Sequence, residues 1–436
     1  MAEHSQFQLL RERRFAPFFA TQFLGAFNDN VYKNALVILL AFHGADYTRL
    51  DPNLLVNLAA ALFILPFFLF SATAGQLADR YDKARIMRWV KGMEIAIMAL
   101  AGLGFALKSF TLLMMALFLM GTHSTFFGPA KYAILPQHLR EDELLGGNGL
   151  VEMGTFAAIL LGTLLAGVLT VSGNTLWVTA VSLTIAGLGF LSSRLIPSAP
   201  AANPTLVIGW NLVTETARCL RFARDDRALF PALLGISWFW FYGAIVLSQF
   251  PNLAKTVIHG GEPVVTVLLT LFSIGVGLGS LMCERLSHHD IDRGLGLVPF
   301  GSLGMSLFTL DFFLAAPATP APEILGAWAF LVGSGWRLGL DLAGLGFFGG
   351  LFIVPLYALI QARSEISHRS RVIAANNILN ALFMVVSAIF AVLLLGIGLS
   401  IPGLYLLTGL INLLAGAALC WASPVFLEQA RRWWDG

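Results

Sequence analysis

The chain has 436 residues, 57% hydrophobic and only 12% charged, with a formal net charge of +2. Its mean hydropathy is +0.77. Soluble domains carry about 25% charged residues, so the composition excludes a soluble fold, and the small net charge gives no basis for a nucleic-acid partner.

In chain order, apolar segments lie at 15–42, 53–77, 88–107, 110–134, 149–171 and 175–196, then at 229–250, 263–286, 294–315, 342–362, 372–397 and 401–422. Each is long enough as a helix to cross a bilayer, which takes about 20 residues at ~1.5 Å rise. The pattern predicts an all-α membrane protein with twelve transmembrane helices. The stretch 323–362 has room for a short helix before the tenth. No small-residue cleavage site follows a short apolar core at the N-terminus, so no removable signal peptide is expected. Cys219, Cys283 and Cys420 form no spaced set, which argues against a disulfide framework and a zinc site.

At the centre of the first segment stand Asn28, Asp29 and Asn30, with Lys33 one helical turn beyond Asp29. An ionisable group at that depth costs a few kcal/mol to insert and normally faces protein or a water-filled cavity. An Asp29–Lys33 pair at i,i+4 would stabilise its own helix. Four polar groups so close together exceed that need and favour the polar lining of a transport path.

Between the sixth and seventh segments, Pro197, Pro200 and Pro204 precede Arg218, Arg221, Arg224 and Arg227. Arginines three residues apart predict a short amphipathic helix at the membrane surface, a reading compatible with a solvated linker face. The domain organisation is then 1–196 as a six-helix bundle, 197–228 as a basic linker and 229–436 as a second six-helix bundle. With both termini placed in the cytoplasm, every Lys and Arg except Lys33, Arg49, Lys108, Lys255 and Arg337 falls in an inner segment. Arg80, Lys83, Arg85, Arg88 and Lys91 form the densest inner group. Loop charge of this kind sets orientation, so both termini are expected inside.

The halves repeat. Gly128-Pro-Ala-Lys-Tyr-Ala-Ile-Leu135 closes the fourth segment and Gly147-Asn-Gly149 opens the fifth. Val354-Pro-Leu-Tyr-Ala-Leu-Ile360 and Ala375-Asn-Asn377 do the same for the tenth and eleventh. Asn is a good N-cap and proline loosens a helix where it must bend. Six-plus-six helices with repeated halves and a basic central linker resemble a major facilitator.

Gly75-Gln-Leu-Ala-Asp-Arg-Tyr-Asp-Lys-Ala-Arg85, between the second and third segments, looks like that superfamily's signature loop, with Asp82 where the second glycine usually stands. The resemblance implies a gating set of Gly75, Asp79, Arg80 and Arg85. Asp79 would meet the N-terminus of the eleventh helix, favoured by its dipole.

Phe27-Asn-Asp-Asn30, Gly128-Pro-Ala-Lys-Tyr132 and Gly147-Asn-Gly-Leu-Val-Glu152 together resemble the lysophospholipid transporter family of the major facilitators. That resemblance implies a flippase moving lysophospholipids, such as lysophosphatidylethanolamine, from the outer to the inner leaflet of the bacterial inner membrane. An acyltransferase or acyl-ACP synthetase partner would then restore the missing chain. Many relatives carry such enzymes as fused domains, and the sequence to Gly436 shows none. By position, Asp29 matches the family's acidic residue in the first helix and Lys131 its lysine in the fourth. A zwitterionic head group needs a carboxylate for its amine and a cation for its phosphate. Asp29 stands at mid-segment and Lys131 in the last turn of the fourth, so they would serve the head group in succession. The competing reading makes Lys131–Glu152 a structural bridge.

Further path candidates are Tyr132, Trp238, Trp240, Gln249, Asn377 and Asn380. The aromatics of Ser237-Trp-Phe-Trp-Phe-Tyr242 either wall a lateral opening for an acyl chain or simply pack. Asn376 and Asn377 either line the path or cap the eleventh helix. His123 reads as a packed polar residue, with the path as the alternative. His288, His289, Asp290 and Asp292 fall in a short loop and read as solvated, not as metal ligands. No phosphate loop of the Gly-x-x-x-x-Gly-Lys type occurs, and neither a catalytic residue nor a cofactor is expected. The reading that follows is a monomeric lysophospholipid flippase. The alternatives are a proton-coupled exporter of small amphipathic compounds, with Asp29 carrying the proton, and a non-transporting anchor for a lipid-remodelling enzyme.

Overall fold

The computed structural model describes residues 5–435 apart from 45, 46, 49, 51, 172, 225, 318, 320 and 334. Arg49, one of the outer charges, lies outside the described residues. The first six long helices are α1 (Ala16–His43), α2 (Pro52–Arg80), α3 (Lys83–Ala106), α4 (Phe110–His138), α5 (Leu144–Thr170) and α6 (Thr175–Ser193). The short α7 (Leu212–Phe222) follows in the linker. Then come α8 (Leu229–Asn252), α9 (Glu262–Ser287), the short α10 (Ile291–Leu295), α11 (Leu297–Ala315) and the short α12 (Ala327–Val332). The chain continues through α13 (Trp336–Arg363), α14 (Arg369–Gly396), α15 (Ile401–Ala422) and α16 (Val425–Asp435). Among the described residues, 11 helical spans are long and apolar enough to cross a membrane. α1 equals them in length with 28 residues, and its Asn-Asp-Asn centre and Lys33 lower its mean hydropathy.

Helix starts are written locally. The side chains of Asp82, Ser109, Asn174, Asn211 and Ser400 each accept a backbone N–H from the first turn of the helix they precede. Such caps satisfy donors that the helix itself leaves open. Gly398 turns the chain from α14 to α15 at φ +94°, a left-handed conformation that costs glycine little.

Three of the boundaries that depart from the sequence pattern bear on candidate residues. α5 and α14 start earlier than their apolar segments, each after a turn of 3-10 helix at Glu141–Glu143 and Ile366–His368. Asn148 therefore sits one turn inside α5, its Nδ2 donating to Leu144 O at 2.8 Å, and Asn376 and Asn377 sit two turns inside α14. None of them is a cap. α4 runs on to His138, whose carbonyl accepts from Arg14 Nη1 at 2.9 Å, so Lys131 lies two turns before the helix end and not in its last turn. The amphipathic α16 was not foreseen; Trp433 anchors it by donating Nε1 to Arg293 O at 2.9 Å.

The chain divides into two compact units, Met1–Arg140, Ala158–Asp225 and Ser364–Ile378 in the first, and Glu141–Ala157, Asp226–Arg363 and Leu379–Gly436 in the second. In the first, α2 packs on α4, α4 on α3, α3 on α6, α6 on α1 and α1 on α2. In the second, the same circuit recurs as α9 on α13, α13 on α11, α11 on α15, α15 on α8 and α8 on α9. α9 and α13 approach closely. A methyl group at Gly275 or Gly279 would collide with the α13 backbone, and one at Gly346 or Gly350 with the α9 backbone. Small residues four apart on both helices permit that contact, the usual device where lipid supplies no hydrophobic drive between helices.

Candidate transport residues and latch

In the first unit, the polar centre of α1 does not pair with itself. Asn28 is fully buried and donates Nδ2 to Glu94 Oε1 of α3 at 2.7 Å. Asp29 Oδ2 accepts from Ser124 Oγ of α4 at 2.6 Å, while its Oδ1 is buried without a partner. Asn30 Nδ2 turns back to Ala26 O at 2.8 Å. Lys33 lies over the Phe63 ring, 5.3 Å from its centroid. In place of the i,i+4 ion pair that was the plainer alternative, Asp29 bonds Ser124 of α4 and Lys33 covers the Phe63 ring of α2.

Behind Asn28 lies a group that the sequence pattern did not reveal. Lys91 and Glu94, both 0% exposed, form an ion pair within α3. His123 Nε2 of α4 stands 3.1 Å from Glu94 Oε2, and its ring stacks on Phe127. Lys91 is therefore no loop charge, as the orientation count assumed; its stem lies where a methyl group at Gly189 of α6 would collide with it. The available signal was the i,i+3 pairing of opposite charges at the head of an apolar run.

Lys131 of α4 is half-buried and lies over the Tyr132 ring at 4.9 Å. Asn377, in the first unit's part of α14, packs its amide so closely on Gly128 that a methyl group there would collide with it. Glu152 is fully buried and belongs to the second unit.

Also in the second unit, Trp238 donates Nε1 to Asn412 Oδ1 at 2.7 Å and stacks on Phe241. Trp240 Nε1 reaches Tyr357 Oη at 3.4 Å, and its ring stacks on Phe156. Ser237 Oγ donates to Asn380 Oδ1 at 2.8 Å. Gln249 Nε2 donates to Ser248 Oγ at 3.3 Å. Asn148 and Gln361 exchange reciprocal amide hydrogen bonds of 2.8 and 2.9 Å.

The signature loop builds a compact latch inside the first unit. Asp79, 0% exposed, accepts Ser370 N–H at 3.0 Å and Arg371 Nε at 2.9 Å, both from the first turn of α14. A methyl group at Gly75 would come 2.7 Å from Ala374 Cβ, so glycine there lets α2 and α14 touch. Arg371 also lies over the Phe222 ring of α7 at 4.6 Å, and Phe222 stacks on His368. The cation of the latch is Arg371. Arg80 instead covers the Tyr81 ring at 5.5 Å, and Arg85 is exposed.

Asp82, in place of the usual glycine, caps α3 through Arg85 N–H and also accepts Ser198 Oγ and, at 2.9 Å, Ala199 N–H. Burial pushes its carboxyl up, but those three hydrogen bonds and the nearby Arg88 guanidinium outweigh it and hold the group below its ordinary value of 3.8.

The sequence profile described as the Major Facilitator Superfamily matches residues 18–344. The chain is 28% identical over 355 residues to the lysophospholipid transporter LplT of Escherichia coli O7:K1, a match covering 79% of this chain and 79% of that protein. LplT of Shigella boydii serotype 18 matches with the same identity and coverage. Among solved structures, the human organic anion transporter MFSD10 superposes with a TM-score of 0.67 at 15% identity, covering 96% of this chain and 98% of that one. The Escherichia coli fucose:proton symporter FucP gives 0.70 at 13% identity over 94% and 98%. At such identities the two structures speak for the fold alone. The repeated helix circuit, the signature loop on α14 and the profile match converge: this chain is a multi-pass membrane transporter, not an enzyme, and belongs to the Major Facilitator Superfamily.

Proposed function

We propose that this transporter carries lysophospholipids, such as lysophosphatidylethanolamine, from the outer to the inner leaflet of a bacterial inner membrane. Both termini are cytoplasmic in this reading, and bundles 1–196 and 229–436 move about the 197–228 linker in a monomer. An acyltransferase or acyl-ACP synthetase then re-acylates the delivered lipid. The observation that carries the reading is Asp29. Its carboxylate is held by Ser124 through one oxygen and keeps the other buried and unpartnered, an open acceptor for a head-group amine. Lys131, farther along α4, supplies a cation for the phosphate. The likeness to LplT supports the substrate class.

The test is uptake of labelled lysophosphatidylethanolamine into proteoliposomes with and without the protein. Asp29→Asn should lower transport about tenfold or more while the protein still inserts, because a hydrogen bond to a charged group contributes ~1.5–3 kcal/mol. Activity within twofold of wild type would remove Asp29 from the path. Lys131 has its own test. If it meets phosphate, Lys131→Gln impairs lysolipid transport and Glu152→Gln does not. If it bridges to Glu152, both variants lose thermal stability and the double variant regains much of it.

One observation favours the exporter reading. His123, 2% exposed and 3.1 Å from Glu94, adds a buried polar group beside Asn28 that lipid transport alone does not call for. An imposed pH gradient that drives export of an amphipathic cation, with no lysolipid uptake, would select it.

A further inference from the structure

Two buried amides on α14 have no stated purpose in the fold. Asn376 is 1% exposed, and neither its Oδ1 nor its Nδ2 has a hydrogen-bond partner. Asn377 is 8% exposed, and its Nδ2, also unpartnered, lies against Gly128 of α4. A buried donor left open costs about 1–3 kcal/mol and calls for an explanation. Capping is not one, because both residues stand two turns inside the helix.

The position of Asn377 supplies an explanation. Ser124, Gly128 and Lys131 share one face of α4 at spacings of four and three. The face thus runs from the Asp29–Ser124 hydrogen bond, through the Gly128–Asn377 contact, to Lys131. By helical rise these steps are about 6 Å and about 4.5 Å, or ~10 Å in all. In a phosphoethanolamine head, two carbons separate the amine from the phosphate ester. Such a head spans one step of this ladder but not both. Between the level of Asp29 and that of Lys131, Asn377 presents an open N–H at the middle step of the ladder.

We propose that the Asn377 amide, cradled on Gly128, is a subsite for the lipid phosphate, filled while the amine rests on Asp29 and emptied toward Lys131. The proposal rests on the lysophospholipid reading above. A neutral amide suits a waypoint, since it binds the phosphate less tightly than a lysine and so releases it onward. The glycine is part of the site: a side chain at position 128 would push the amide away from the α4 face.

The test is steady-state transport of lysophosphatidylethanolamine in proteoliposomes, with soluble glycerol 3-phosphate as a competitor. Asn377→Leu keeps the bulk and removes the donor. It should raise KM about tenfold with kcat within about twofold, and weaken the competitor in the same proportion. Asn377→Asp should raise KM further, because a carboxylate repels phosphate. Thermal stability in detergent, measured on the same samples, should be unchanged or higher for Asn377→Leu, since an unpaired buried amide is gone. An unchanged KM, or a fall in kcat alone with a stability gain, would show that Asn377 only tunes helix contact and would overturn the subsite. A wild type that transports no lysolipid would instead defeat the functional reading, and the subsite with it.

Discussion

Two charged corners of the molecule are built differently. In the first unit, the carboxylate of Asp79 is fully buried, takes two hydrogen bonds from the first turn of α14, and its partner Arg371 is covered by the Phe222 ring. In the second unit, the α9–α10 corner makes one half-buried and one open contact. Glu284 Oε1 lies 3.3 Å from His289 Nδ1, and Asp292 meets Arg363 Nη2 at 3.3 Å with both side chains at least one-third exposed. An open cavity of about 490 Å³ is lined by Glu141, Asp142, His289, Asp290, Asp292 and Arg363 among others. The lesson is energetic. A dry, multiply bonded charge pair is costly to break one partner at a time, whereas wet pairs are worth ~0–1 kcal/mol and yield to salt. The first corner is fit to hold a state, and the second to be solvated and remade.

The largest expected effect follows from the dry corner. Asp79→Ala leaves Arg371 buried without its carboxylate, a loss of roughly 3–5 kcal/mol in the latched form. On the gating role proposed for the latch, transport should slow about tenfold or more at near-normal KM. Asp79→Ala with Arg371→Ala should recover part of the rate, since neither charge is then left alone. A large rise in KM at unchanged maximal rate would mean that this corner touches substrate.

The next effect concerns Asp82, and its sign follows from its lowered carboxyl. The folded protein holds the Asp82 proton less tightly than the unfolded chain, so the stabilisation is complete above the ordinary carboxylate value of 3.8 and is lost as pH falls below it. Asp82→Ala should lower the melting temperature by an amount matching a lost cap, ~1 kcal/mol. That gap should stay constant from neutral pH to about pH 5 and shrink below the carboxylate range near 3.9. A gap that widens on acidification would show that Asp82 is not the ionised anchor of Ser198, Ala199 and Arg85.

Much of this was legible in the chain. Apolar runs marked the long helices, and the arginine spacing marked a short helix, though α7 holds Arg218 and Arg221 and ends before Arg224 and Arg227. The signature loop foretold that Asp79 would meet the start of the eleventh long helix, as it does through Ser370 and Arg371. What stayed hidden depends on contacts between distant segments. The i,i+3 spacing of Lys91 and Glu94 hints at a pair but not at its burial, because the deciding neighbours, Asn28 and His123, come from α1 and α4. Asn148 and Asn377 resemble caps in sequence, and only the extra 3-10 turns before α5 and α14 place them inside. The roles of the path residues lie a step farther still, since a buried amide without a partner shows itself only when every neighbour is placed.

The smallest expected effect tests the wet corner. Asp292 and Arg363 are 57% and 35% exposed, so water screens their charges and the long arginine loses side-chain freedom in meeting its partner. Asp292→Asn should change stability by less than about 0.5 kcal/mol and transport by less than twofold. Even that difference should fade in about 1 M salt, where the screening length is ~3 Å. The Asp79→Ala defect should persist in the same buffer, because Asp79 and Arg371 are buried away from mobile ions. Measuring both variants at low and high salt places the two corners on one scale. If Asp292→Asn slows transport as much as Asp79→Ala, and salt does not rescue it, the loop before α10 is a second latch and the contrast drawn between the corners is wrong.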